Sequence, residues 1–326
     1  TPSSEQFRCK LLSDKAIGYG IDQYVLRRIP IRRFSVLLAT LPVIGAGLVS
    51  MYAFVGVNNY FEKQLVWVGV ALLVALGVAM LDLRILRKTH IILSLFLLFC
   101  GLLLSLFLVG SVFKGARGWF DLGVFAIQPA DPMKLILILV LAKYFSRRHV
   151  EIAHYKHIIV SGLYALVPTL LVLIQPDFGS AVILFTIWFG MTVVSGISKK
   201  HLFIVFGIAA IAFIVLWSFV LKPYQQDRIK TFIHPLTDIR GAGYNAYQST
   251  IAVGSGEMFG KGVGYGTQSR LKFLPEYQTD FIFASFAEEW GFVGVLLLLL
   301  CFGIIVWRIL ANAMVGATNF ETLFCM

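Results

Sequence analysis

The stretch Leu274 to Glu289 reads Leu-Pro-Glu-Tyr-Gln-Thr-Asp-Phe-Ile-Phe-Ala-Ser-Phe-Ala-Glu-Glu. It sets Asp280, Glu288 and Glu289 at the mouth of, and inside, an apolar run that continues through Val293 to Cys301. A carboxylate inside a membrane span costs roughly 2.5–3.5 kcal/mol on insertion scales, so a function or a buried partner must offset it. Thr279 and Asp280 fall where the first helical turn should begin. An aspartate there can be a cap, accepting a backbone N–H of that turn, or it can accept a proton from a substrate hydroxyl. Glu288 and Glu289 lie two turns further in, where capping does not account for them.

Two other places combine charge with helix breakers. In Gln128-Pro-Ala-Asp-Pro-Met-Lys134, Pro129 suits the first position of a helix and Asp131 its positive end. Asp131 and Lys134 are three apart, share a face and can pair. In Gln175-Pro-Asp-Phe-Gly-Ser180 a tight break separates two apolar runs. Asp177 there is a cap or part of a site, since a proline-interrupted pair of hydrophobic segments is the sequence pointer to sites in membrane proteins.

Composition fixes what must position these groups. Of 326 residues, 58% are hydrophobic and only 14% charged, with mean hydropathy +0.83. Soluble domains carry about 25% charged residues, so the chain reads as a polytopic, all-α membrane protein. Its net charge of +11 follows from basic loops and not from nucleic-acid binding. The four cysteines form no CxxC pair, which excludes a zinc or disulfide framework on this pattern. Apolar windows of about 20 residues fall near 34–55, 65–83, 89–112, 129–146, 157–175, 178–196, 201–221 and 281–309, predicting eight spans in a single domain over 34–326. The first is expected to act as an uncleaved insertion signal.

Basic residues set the orientation. The tail 1–33, the turns 83–89 and 196–201, the loop 143–157 and Arg308 gather seventeen Lys and Arg; the opposite side, its longest loop aside, has Lys63, Lys114, Arg117 and Lys134. The bias predicts a cytoplasmic N-terminal tail and an outward-facing segment 222–279 between spans seven and eight. That segment far exceeds the usual connection of about 4–6 residues. It is rich in glycine (Gly241, Gly243, Gly254, Gly256, Gly260, Gly262, Gly264, Gly266), yet Tyr224, Phe232, Tyr247, Phe259 and Phe273 argue against disorder. A short surface helix is expected over Tyr244–Val253, and the glycine-rich part can cradle an anion with backbone N–H groups.

Together these residues resemble the RodA/FtsW family of bacterial shape, elongation and division proteins. The likeness rests on Lys114-Gly-Ala with Trp119 and Leu122-Gly123; Gln128-Pro129 with Lys134; Gln175-Pro-Asp-Phe-Gly; Tyr224-Gln225 with Arg228; Gly241-Ala-Gly-Tyr with Gln248-Ser249; Ile251-Ala-Val-Gly-Ser-Gly; Gly260-Lys-Gly; Gly266-Thr-Gln-Ser; and Leu274-Pro-Glu with Thr279-Asp-Phe-Ile-Phe-Ala and Glu288-Glu289. Gly-Thr-Gln-Ser before Leu-Pro-Glu favours the RodA branch. The resemblance implies a multi-pass protein of the bacterial cytoplasmic membrane. It implies a peptidoglycan glycosyltransferase that polymerises lipid II on the outer face during cell elongation, with a class B penicillin-binding protein as partner. The family's catalytic acid falls on Asp280, its acid–base pair after Gln-Pro on Asp131 and Lys134, and its other membrane-edge aspartate on Asp177. Asp131, Lys134, Asp177 and Glu288 are expected to form a polar cluster.

Three departures stand out. Gln128-Pro-Ala-Asp131 replaces the family's Gln-Pro-Ser-Glu, Gly118 replaces the Arg before Trp, and the family's ten spans compare with eight here. The last two family spans, with their Ser-Tyr-Gly-Gly loop, are expected beyond Met326, and an isolated 326-residue product is expected to be inactive.

In the implied reaction a carboxylate takes the acceptor hydroxyl's proton while a lipid pyrophosphate leaves. Positive charge for that leaving group is expected from Arg228, Lys230, Lys261, Arg270 or Lys272 and from a divalent cation, Mg2+ or Mn2+, with Gln268 and Glu276 as further substrate contacts. A flippase for lipid-linked precursors, or a scaffold that activates the penicillin-binding protein, are the rival readings.

Overall fold

The computed structural model describes residues 31–52, 60–80, 83–147 and 155–326, apart from 114–115, 122, 124–125, 222, 235–238, 240, 242 and 317. The tail over residues 1–30 and Lys114 therefore lie outside the described residues. Each of the eight expected windows coincides with a helix: α1 Ile31–Tyr52, α2 Tyr60–Met80, α3 Thr89–Val109, α4 Ala130–Ser146, α5 Tyr155–Ile174, α6 Phe178–Val194, α7 Lys199–Val215 with a π turn at Leu216–Val220, and, after the long loop, Ile282–Met314. Among the described residues, five helices are long and apolar enough to cross a membrane: α2, α3, α5, the Lys200–Phe219 stretch and Ile282–Met314. Such all-round apolarity marks membrane or deep core helices, and the chain is an α-helical membrane protein.

The all-α fold expected from the sequence is what the structure shows, with one small addition. Strands β1 (Ser111–Phe113), β2 (Ala116–Asp121) and β3 (Ala126–Ile127) form a small antiparallel sheet between α3 and α4, with Ser111 opposite Trp119 and Phe120 opposite Ile127. Gly123, at φ 81°, turns β2 toward β3 and donates its N–H to Asp121 Oδ1 at 2.9 Å. The long loop is largely structured, as its aromatic residues led one to expect: it carries α8 (Pro223–Ile233), α9 (Tyr244–Ser255), which covers the short helix expected over Tyr244–Val253, and the single turn α10 (Thr267–Arg270). Helix α11 is Ile282–Met314, and α12, Asn319–Cys325, follows.

The chain divides into two compact units, residues 1–61 with 252–308, and residues 62–251 with 309–326. In the second, α4 is central. Met133, Leu137, Leu141, Ala142 and Phe145 are essentially inaccessible, packed with Leu103 and Leu106 of α3, Val172 of α5 and Leu184 of α6. Helix α12 closes on this unit through Phe320 and Leu323, and Arg87 pairs with Glu321. Pro129 caps α4 instead of occupying its first position, a one-residue shift within ordinary boundary variation.

In the first unit, α11 is two helical segments. At Gly291 the backbone turns to φ 64°, ψ −167°. A helix break leaves carbonyls and N–H groups without partners, and the loop 256–262 supplies them. Lys261 and Gly262 donate N–H groups to the carbonyls of Glu288 and Glu289, both at 3.0 Å. Phe292 and Val293 donate to the carbonyls of Glu257 (2.9 Å) and Met258 (3.1 Å). The span expected near 281–309 is thus present, broken at Gly291. Thirty-three helical residues would measure about 50 Å, against about 30 Å of hydrocarbon, and the segment after Gly291 is long enough to cross alone.

Candidate active site

Asp280 lies in a turn that delivers the chain into α11, two residues before Ile282, and is exposed. The turn winds on the Glu276 carbonyl, which accepts the N–H groups of Thr279 and Phe281, each at 3.1 Å. Thr279 also donates its hydroxyl to Glu276 Oε2 at 2.9 Å. The footing beneath is apolar. Leu274 is fully buried and packs with Ala252, Tyr277 and Ala284. Burial pushes the Tyr277 phenol above its ordinary range, so it stays protonated, and Gln278 Nε2 donates to its oxygen at 3.1 Å. Asp280 and Glu276 therefore share one turn, with Asp280 displayed on its surface.

Glu288 and Glu289 have the opposite character, with side chains 0% and 1% exposed. Glu288 Oε1 accepts from Lys261 Nζ (2.9 Å), Thr267 Oγ1 (3.0 Å), the Gln268 backbone N–H (3.1 Å) and Ser255 Oγ (3.4 Å); Oε2 accepts from Ser269 Oγ at 3.3 Å. Glu289 Oε1 accepts the N–H of Gly264 at 3.0 Å. The anion that the glycine-rich loop cradles is thus the protein's own Glu288 carboxylate, with Glu289 held by a single backbone N–H. A Cβ at Gly266 would stand 2.9 Å from Glu288 Oε2, so glycine is what lets the loop close on the acid. For Glu288 this answers how a buried carboxylate meets its desolvation cost, since buried charges persist when paired and hydrogen-bonded; Glu289 Oε2, by contrast, is buried without a hydrogen-bond partner among the described residues.

The expected cations separate accordingly. Lys261 Nζ donates to Ser255 Oγ and Thr267 Oγ1, each at 2.9 Å, as well as to Glu288. All three of its protons thus go to the protein's own acceptors. Lys230 pairs with Asp227 at 3.3 Å. Arg270 and Lys272 are exposed and carry no ion pair among the described residues. The Arg228 side chain lies outside the described residues. Gln268 gives its backbone N–H to Glu288, while its side-chain oxygen is buried without a hydrogen-bond partner. Ser255, Thr267, Ser269 and Ser285 were not singled out from the sequence. The signal for them was a carboxylate in an apolar run, which demands nearby donors.

The other expected residues lie in the second unit. Lys134 Nζ pairs with Asp131 Oδ1 at 2.7 Å. Asp177 Oδ1 caps α6 through the Ser180 N–H at 3.0 Å, and its Oδ2 accepts from Gln128 Nε2 at 2.9 Å. Asp177 is thus both cap and tie, holding the entry of α4 to the break between α5 and α6. Glu288, expected with these three, instead takes Lys261 and the hydroxyls of its own unit. The Asp131 side chain is 58% exposed, so the pair is not a buried one. Lys134→Ala is expected to cost about 1 kcal/mol or less, read as a small fall in melting temperature in detergent. A loss of about 3–5 kcal/mol, the signature of an orphaned buried charge, would overturn the surface-pair description.

A family profile described as cell cycle protein, FtsW/RodA/SpoVE, matches residues 30–326. The chain is 38% identical over 219 residues to peptidoglycan glycosyltransferase MrdB of Escherichia coli K12, covering 67% of this chain and 59% of that protein. It is 34% identical over 287 residues to stage V sporulation protein E of Bacillus subtilis 168, covering 83% and 76%. The chain thus spans about three fifths of the MrdB relative it matches. Among solved structures it is similar to a chain from a study of polymerisation and crosslinking by a peptidoglycan synthase complex (TM-score 0.74, 28% identity, 90% of this chain and 81% of that one). It is also similar to the rod shape determining protein RodA of Thermus thermophilus (TM-score 0.64, 26% identity, 90% and 78%). With the profile matched over nearly its whole length, the chain belongs to the FtsW/RodA/SpoVE family of cell cycle proteins.

Proposed function

We propose that the chain carries the catalytic core of a peptidoglycan glycosyltransferase, with Asp280 as general base and lipid II as substrate. The observation that carries this reading is the contrast among the three acids of one stretch. Glu288 and Glu289 are buried and held by the loop, whereas Asp280 is displayed on a turn with a packed apolar footing. An exposed carboxylate at a helix entrance can meet a sugar hydroxyl while the lipid tail of the donor stays in the bilayer. The base removes the acceptor proton as the hydroxyl oxygen attacks the anomeric carbon, and the pyrophosphate leaves with the bonding electrons. Arg270 and Lys272 are the cations proposed for its charge.

The divalent cation, Mg2+ or Mn2+, is proposed as one that arrives with the pyrophosphate and neutralises its charge. Among the described residues no group of three or more His, Cys, Asp or Glu could cage it. Magnesium is ordinarily held by one or two carboxylates plus substrate phosphates, so the pyrophosphate itself would supply much of its coordination. The chain is proposed to lie in the bacterial cytoplasmic membrane with its N-terminus inside, from its basic-residue bias. It is proposed to act in elongation with a class B penicillin-binding protein. The similarity to a peptidoglycan synthase complex supports that partner.

The break at Gly291 favours a flippase as the second reading, since discontinuous helices bind solutes in transporters. Here the loop 257–262 takes up backbone groups on both sides of the break, which favours the enzyme. Incubating the full-length protein with lipid II in detergent, with and without the penicillin-binding protein, separates the readings. Glycan chains that do not depend on the partner's own active site are expected. Translocation in vesicles without polymer in detergent would establish the flippase, and polymer made only by the partner would establish the scaffold.

A further inference from the structure

We propose that Glu288 and Lys261 are positioning residues that set the place of the Asp280 turn. This inference rests on the glycosyltransferase reading for its catalytic consequence, and on geometry alone for its structural one. The Glu288 carboxylate gathers donors from three places in the chain: Ser255 at the end of α9, Lys261 in the glycine-rich loop, and Thr267, Gln268 and Ser269 in α10. Lys261 ties the same pieces a second time through Ser255 and Thr267. A further bond, Ser269 Oγ to Ser285 Oγ at 2.9 Å, fastens α10 to α11 one turn before Glu288.

From α10 the chain runs directly into the Asp280 turn. Leu274 donates its N–H to the Gln268 carbonyl at 3.1 Å and buries its side chain against Ala252, Tyr277 and Ala284. Pro275 follows, and the Glu276 carbonyl then closes the turn. The segment 271–281 is therefore anchored twice to the same helix: through α10 at Ser285 and Glu288, and by running into α11 at Ile282. Asp280 sits between the anchors. The segment is held at both ends, so the position of Asp280 follows the position of α10. Without the Glu288 charge, Lys261 loses its counter-ion and the donors of α10 lose their shared acceptor. A displacement of about 1 Å at a reacting group is enough to cost about 100-fold in rate.

The test uses the full-length protein with Glu288→Gln, Lys261→Met and Lys261→Arg, and two readouts. Hydrogen exchange reports the anchor without requiring activity. Glu288→Gln and Lys261→Met are expected to lose protection over residues 261–270 and also over 276–281, whereas Lys261→Arg keeps both. Steady-state kinetics on lipid II are expected to show kcat about 100-fold lower with KM nearly unchanged for the first two variants, and most of kcat retained by Lys261→Arg. Unchanged exchange at 276–281 would overturn the proposal. So would a rise in KM at constant kcat, the mark of lost uniform binding, which would make Lys261 a substrate ligand. If Glu288→Gln does not accumulate, Thr267→Val removes one donor to the same carboxylate at nearly constant volume, with the same two readouts. A wild-type protein that makes no glycan, while its variants still lose protection at 276–281, would overturn the glycosyltransferase reading and leave the anchor standing.

Discussion

Asp280→Asn is expected to lower glycan synthesis by about 10²–10⁴-fold, the usual worth of a general base, while leaving membrane abundance and partner binding unchanged. Asparagine caps a helix about as well as aspartate, so any capping role in the turn before α11 survives the substitution. The side chain is exposed and asparagine is nearly its size, so no cavity is opened. What is lost is the ability to accept the acceptor hydroxyl's proton. Glu276→Gln is the matched control. It removes a negative charge from the same turn, yet its side-chain oxygen can still accept the Thr279 hydroxyl that Glu276 Oε2 accepts at 2.9 Å. Activity of that control within a few-fold of wild type, beside a collapsed Asp280→Asn, separates proton transfer from local charge. Near-normal synthesis by Asp280→Asn would falsify the catalytic assignment and leave Asp280 a structural residue of the turn.

The helices were legible because each is a long apolar run, and the hydrocarbon thickness fixes how long such a run must be. Thus the window near 89–112 became Thr89–Val109, and that near 157–175 became Tyr155–Ile174. The small sheet was not legible. Its strands span two to six residues, and such short pieces give no period to detect between apolar flanks. The break in α11 was hidden for another reason. Gly291 is one of 29 glycines, and nothing local distinguishes it from Gly294 or Gly303. The break is encoded by the loop that fills it, whose residues 257–262 lie about thirty positions earlier.

The site divides along the same line. Asp280 was legible from its own neighbours, because Thr-Asp before an apolar run marks a helix entrance. Lys134 with Asp131 was legible too, because the pair is three residues apart on one helix. The Glu288 network was legible only as a debt, a buried acid in want of donors. Its creditors come from 19 to 33 positions away. Lys261 illustrates the cost of that distance: its charge suggested pyrophosphate, and only the fold shows its three protons already taken.

Gly260→Ala is expected to be strongly destabilising to the first unit. Gly260 adopts φ +80°, and a left-handed backbone costs an L-residue about 1–2 kcal/mol. A Cβ there would also overlap the carbonyl oxygen of Glu289, the acceptor for the Gly262 N–H at 3.0 Å. If the loop retreats, the carbonyls of Glu288 and Glu289 and the N–H groups of Phe292 and Val293 lose their partners at the break. Each buried unsatisfied group costs about 1–3 kcal/mol. A total of about 2–8 kcal/mol follows from strain and one or two such groups, a large fraction of the about 5–15 kcal/mol that holds a protein together. Gly303→Ala, in the same helix, is the contrast. A Cβ there meets nothing within 4 Å, and alanine is about 1 kcal/mol better than glycine in a helix, so that variant should match or exceed wild type. Melting temperature in detergent and abundance in the membrane measure both. Equal stability of the two variants would show that the loop does not hold the break closed, and that the two segments of α11 are fixed by something else.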